Sequence, residues 1–111
     1  MHIEEIYHGN FVTLKPIGEL DANSSINMNE KIEYLLGNSY KNIHVDCSEL
    51  RYISSAGLGV FMSFIEEIQQ AGGKFIFSNM SNKVFNVFEL LGLHQVMTIV
   101  PDYGEVENLM V

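Results

Sequence analysis

The sequence predicts a single α/β domain built on a largely parallel sheet, and three observations predict it. Segments with strand-like alternation take turns with segments whose apolar residues recur every three to four positions. Serine, aspartate and glycine stand where the helical segments begin and end. The chain has 111 residues, of which 47% are hydrophobic and 18% charged, which suits one globular core spanning residues 1–111.

The first element is a hairpin. Ile3 to Tyr7 and Phe11-Val12-Thr13-Leu14 carry strand-forming residues, and Gly9-Asn10 between them suits a tight reversal. Asp21 then caps a helix whose core face is Met28, Ile32, Leu35 and Leu36, and Gly37 supplies its stop. Ile43 to Cys47 alternates as a strand. A second helix follows with the apolar stripe Leu58, Phe61, Met62, Ile65 and Ile68 and a polar face of Ser63, Glu66, Glu67, Gln69 and Gln70. Helical spacing assigns Met62 and Phe64 to the core, with exposed partner contacts as the alternative.

Phe75-Ile76-Phe77 reads as a short central strand. Ser81 caps a third helix through Val84, Val87, Phe88 and Leu91, and Gly92 closes it. Val96 to Val100 is expected as the last strand, stopped by Pro101, and Asp102 to Met110 as a short acidic helix.

Charge and residue spacing narrow the function classes. A formal net charge of -8 argues against binding to nucleic acid or to an anionic membrane surface, and favours a basic protein surface as partner. No apolar run approaches the roughly 20 residues that cross a bilayer, and the acidic start Met1-His2-Ile3-Glu4-Glu5 is unlike a signal peptide, so a cytoplasmic protein is expected. The single cysteine, Cys47, has no internal partner and reads as a buried structural thiol.

His2, His8, His44 and His94 are scattered without metal-ligand spacing, so no metal is expected. Gly57-Leu58-Gly59 lacks the third glycine of a dinucleotide fingerprint, and the chain has no phosphate loop. Tyr52 to Gly57 is not a nucleophile elbow. Asp21 and Asp46 could form an acid–base pair only if the fold joins them; capping and loop ordering account for both without a reaction.

One stretch retains functional interest. In Tyr52-Ile53-Ser54-Ser55-Ala56-Gly57-Leu58-Gly59-Val60, two adjacent hydroxyls stand where a strand or loop hands over to the second helix. One reading is a plain N-cap. The other is a modified serine, because the unpaired N–H groups and dipole of a helix N-terminus stabilise an added phosphate.

Ile43-His44-Val45-Asp46-Cys47-Ser48-Glu49-Leu50 followed by Tyr52 to Gly59 resembles the signature of STAS domains, specifically bacterial anti-sigma factor antagonists. Gly18-Glu19-Leu20-Asp21, Gly72-Gly73-Lys74-Phe75 and Leu90-Leu91-Gly92-Leu93 resemble further elements of that family, in its order. The resemblance implies a single STAS domain, with an N-terminal hairpin and helices packed mainly on one face of a mostly parallel sheet.

The resemblance also implies a non-enzymatic regulator that switches partners. Unphosphorylated, it would bind an anti-sigma factor that is also a serine kinase of the histidine-kinase-like ATPase type. Phosphorylation of Ser55 would end that binding, and a serine phosphatase would reset it. Ser54 stands where the family often has aspartate, and is the second candidate acceptor. Asp21, Ser54, Ser55, Ala56, Gly57 and Leu58 would form the partner-binding surface, with Asp46 ordering a loop. The chain itself would need no cofactor, ATP and magnesium belonging to the kinase, and would be a monomer when free. The alternative is a non-phosphorylated STAS scaffold subunit in a larger signalling or transporter-associated assembly, and a small serine hydrolase is a distant third.

Overall fold

The computed structural model covers residues 1–111. Its elements run β1 (His2–Tyr7), β2 (Val12–Leu20), α1 (Ala22–Gly37), β3 (Asn42–Asp46), β4 (Leu50–Ile53), α2 (Ser55–Gln70), β5 (Lys74–Ser78), α3 (Asn82–Leu90), β6 (Thr98–Val100) and α4 (Tyr103–Leu109), with a short 3₁₀ turn at Leu93–Gln95 before β6. The strands form one six-stranded sheet in the order β1-β2-β3-β5-β6, with β4 also paired to β2. Only β1–β2 is antiparallel; every other pairing is parallel, as helical crossovers require.

β2 is longer than the sequence suggests, because it changes partner along its length. Val12 to Leu14 pair with β3, whereas Gly18 to Leu20 pair with β4. Pro16, which has no N–H to give, falls in the gap between these two ladders. The register shifts between Gly18 and Glu19, and Gly18 sits at φ 108°, a bulge conformation that glycine tolerates. The four-residue β4 forms where the sequence suits either a strand or a loop. The last strand is shorter than expected, because the Val96 and Met97 N–H groups turn back to donate to the Leu93 carbonyl at 3.1 and 2.8 Å instead of joining the ladder.

Alternation sorts the strand side chains between two faces. Val12, Leu14, Ile43, Val45 and Phe77 face α1, α2 and α3 in a cluster of 20 buried apolar residues. Phe61 and Phe77 meet edge to face at 5.0 Å and 76°. On the opposite face, Phe11 and Ile76 form a smaller cluster with Val106 and Met110 of α4 and its C-terminal edge. Three helices thus share one face, and the short α4 covers part of the other.

In α2 the core stripe includes Phe64, which is 5% exposed, while Met62 is 49% exposed. The expectation that placed both in the core is corrected for Met62: at about 100° per residue it lies a quarter-turn or more round the helix from Phe61, on the side away from Phe64 and Ile68, and turns outward.

Candidate functional site

Asp21 and Ser54 end adjacent parallel strands and begin two helices. Leu20 pairs with Ile53, and the Ser54 N–H donates to the Leu20 carbonyl at 2.9 Å, so the N-termini of α1 and α2 emerge side by side. Asp21 caps α1 in a full capping box: its Oδ1 accepts the Ser24 N–H at 2.9 Å, and the Asp21 N–H donates to Ser24 Oγ at 2.9 Å. The Ser24 backbone bond, and then its hydroxyl, hold the exposed Asp21 carboxyl below the usual carboxylate range.

Ser54 is the cap of α2. Its backbone is extended, and its Oγ accepts the Gly57 N–H at 3.1 Å. Ser55 is the first helical residue and is exposed, as is Ala56. The two readings of the serine pair therefore divide between them: the cap falls to Ser54, and Ser55 projects at the helix N-terminus.

Gly57 and Leu58 point inward. A Cβ on Gly57 would lie 2.9 Å from Leu20 Cγ and 3.0 Å from Ile53 Cγ1, and Leu58 is buried. They fix the helix end against β2 and β4 rather than offering surface. Asp46 orders the β3–β4 loop, its Oδ1 accepting the Ser48 N–H at 3.0 Å. Cys47 is buried in the main core cluster, and burial, then the nearby Asp46, push its thiol pKa up.

Sequence reasoning missed the surroundings of His44. The alternation of Ile43 and Val45 put it on the other face of β3, where it lies fully buried between Thr13 and Ser78. Burial holds its imidazole down to about 4, against a smaller opposing influence of Asp46.

The STAS domain description matches residues 2–106. The chain belongs to the STAS domain family. A curated relative of this STAS domain, the anti-sigma-B factor antagonist of Listeria monocytogenes, is 28% identical over 91 residues, covering 82% of this chain and 80% of that protein. Among solved structures, a Thermotoga maritima protein superimposes with a TM-score of 0.92 at 23% identity, covering 97% of this STAS domain and 93% of that chain. The phosphorylated form of SpoIIAA of Bacillus does so with a TM-score of 0.75 at 20% identity, over 97% and 99% of the two chains. These structures share the fold.

Proposed function

We propose that this STAS domain is an anti-sigma factor antagonist whose unphosphorylated form binds an anti-sigma factor with serine kinase activity, and whose binding ends when Ser55 is phosphorylated. The observation that carries the reading is the division of labour at the start of α2. Ser54 caps the helix, which leaves the exposed Ser55 available without cost to the fold. The curated relatives, which carry the name anti-sigma-B factor antagonist, support the same reading.

The physical basis of the switch is charge. Phosphoserine carries about -1.5 to -2 at neutral pH, which the positive end of α2 tolerates while it faces water. Pressed into a partner beside Asp21, the same charge is desolvated next to an existing carboxylate. A mismatch of about 3 kcal/mol lowers affinity roughly a hundredfold, enough to exchange partners without unfolding. The chain is then substrate and regulator rather than enzyme, and a separate phosphatase restores the binding form. The half-buried Ser54, the exposed Ser55 and Ala56, and Asp21 make the contact, with Gly57 and Leu58 supporting it from within. No helix is long and apolar enough to cross a membrane, in keeping with a regulator that meets its partners in the cytoplasm.

Site-localised mass spectrometry of the chain recovered from its native cells, with co-purifying proteins identified in the same sample, tests this. Phosphate on Ser55 that varies with condition, and an unmodified pool bound to a histidine-kinase-like serine kinase, is the expected result. A chain unmodified in every condition and held in a large assembly without such a kinase would replace this reading with a scaffold role.

A further inference from the structure

Beneath α4, five side chains form a continuous hydrogen-bonded run that the surface around Ser55 does not use. Ser78 Oγ lies 2.6 Å from His44 Nε2, and His44 Nδ1 lies 2.8 Å from Thr13 Oγ1. Thr13 Oγ1 is in turn 2.8 Å from His8 Nε2, and the Tyr103 hydroxyl is 3.4 Å from His8 Nδ1. The run therefore crosses from β5 through β3 and β2 to the hairpin turn and ends on α4. Thr13, His44 and Ser78 are buried, whereas His8 is part-exposed and Tyr103 exposed.

Counting hydrogens fixes the direction of this run. Each hydroxyl has one proton to give, and each neutral imidazole has one N–H and one acceptor nitrogen. The buried Ser78 hydroxyl has His44 Nε2 as its side-chain partner, so it donates there. His44 then carries its proton on Nδ1 and donates to Thr13. Thr13 donates to His8 Nε2, and His8 donates from Nδ1 toward the Tyr103 oxygen, whose own proton faces water. Every contact is made once. The opposite direction would strand the Ser78 proton in the interior without an acceptor.

The run accommodates no further proton. Adding one at His8 turns Nε2 into a donor aimed at Thr13. Thr13 Oγ1 then either accepts from both imidazoles, which leaves its own proton without an acceptor, or reverses together with His44 and strands the Ser78 proton.

We propose that this run is a proton-sensitive latch on α4: uptake of one proton from solvent at His8 leaves a buried hydroxyl proton under the helix without an acceptor, which water can satisfy only when α4 lifts from the sheet. Beyond that proton, the changes are hydroxyl rotations and a tautomer exchange at His44.

The helix is suited to such control. Its seven residues are too few to persist alone, so it depends on its contacts. Tyr103 sits in a ring cluster with His8, Phe11 and His44, at centroid distances of 5.9, 6.4 and 5.9 Å. At the other end, Asn10 Nδ2 donates to the Met110 carbonyl at 2.9 Å and the Lys74 ammonium donates to that of Leu109.

None of the groups facing His8 forms an ion pair with it. β2 presents the Thr13 hydroxyl and the stacked Phe11 ring. β3 presents His44, on which Asp46 acts, and α4 presents Tyr103, on which Glu107 acts. β5 contributes the Ser78 hydroxyl and the distant Lys74. The single ion pair of the chain, Lys31 with Glu5, does not involve His8.

Two measurements on the full chain test it. Long-range proton–nitrogen spectra at about pH 7.5 read the tautomers, and both His44 and His8 should carry their proton on Nδ1. A His44 proton on Nε2 overturns the direction of the run. Amide exchange of α4, corrected for intrinsic rate and referred to α1, is then compared at about pH 7.5 and about pH 5.5. Protection of α4 should fall by about 10-fold or more in the parent and by less than about 2-fold in His8→Gln. No fall in the parent, or an equal fall in both, overturns the latch. The tautomers and the parent's exchange ratio decide the matter even if His8→Gln does not fold.

Discussion

The Ser54 N–H donates to the Leu20 carbonyl at 2.9 Å, and through this bond two helix N-termini stand next to each other, one headed by Asp21 and the other by Ser54. An acidic cap and a neutral hydroxyl cap thus share one edge of the domain, with Ser55 exposed beside them. The charge carried by that edge is the quantity that a partner would read.

A change of charge at Ser55 should therefore act on binding and not on folding. Ser55→Ala should bind the partner kinase constitutively, while Ser55→Asp should bind roughly a hundredfold more weakly, with the melting temperature of each within about 3 °C of the parent. Calorimetric titration against the kinase checks this. Equal affinity of Ser55→Asp and the parent would remove charge exclusion as the mechanism.

Ser54 should behave in the opposite manner. Ser54→Ala removes the acceptor for the Gly57 N–H and should cost about 1 kcal/mol, seen as a lower urea midpoint with an unchanged slope. Ser54→Asp restores an acceptor and should recover most of that loss. A Ser54→Ala protein as stable as the parent would show that the cap contributes little to α2.

Gly57 is fixed by space. In Gly57→Ala the new methyl would meet Leu20 and Ile53 at 3.0 Å or less, in a place where both are buried, and should cost about 1–3 kcal/mol. Thermal unfolding measures it. Wild-type stability would mean that α2 shifts outward freely, and the edge bearing Ser55 would then be less rigid than its packing indicates.

Stability should fall as the solution is acidified below neutrality. His44 is a base whose folded pKa is lowered to about 4 from 6.5, so the unfolded chain takes up the proton first. Its contribution is fully present above about pH 6.5 and is lost as pH falls to about 4, by on the order of 3 kcal/mol over the whole window. Asp21, held below the usual carboxylate range by Ser24, adds loss in the same direction at lower pH. Urea unfolding at about pH 7.5 and about pH 4.5 checks the sign, and equal stability at the two values would contradict the burial of a neutral His44. This loss is global and should persist in His8→Gln, unlike the local opening of α4.

Much of the fold was legible because its signals are local. The three helix caps Asp21, Ser54 or Ser55, and Ser81 use a side chain to satisfy N–H groups two or three residues on, and the helical repeat of Met28, Ile32 and Leu35 needs no distant partner. Gly92, at φ 72°, ends α3 as read. β4 escaped because four residues with two exposed in the middle carry too short a pattern, and it exists as a strand only because the far half of β2 lies beside it. Met62 escaped because a helix shows which residues can be buried, while the neighbouring elements decide how wide a stripe they cover.

The sequence by itself determined the alternation of elements, the family signature and the presence of two hydroxyls at the head of α2. The assignment of those hydroxyls, Ser54 to the cap and Ser55 to the surface, depended on where the helix begins, and that is set by the pairing of Leu20 with Ile53. The adjacency of Asp21 and Ser54 and the run from Ser78 to Tyr103 were decided only by tertiary structure. Apart from the local contact of His8 with Thr13, partners in the run lie from 31 positions apart, His44 to Thr13, to 95, Tyr103 to His8, and parallel pairing through helical crossovers brings such residues together without leaving a local trace.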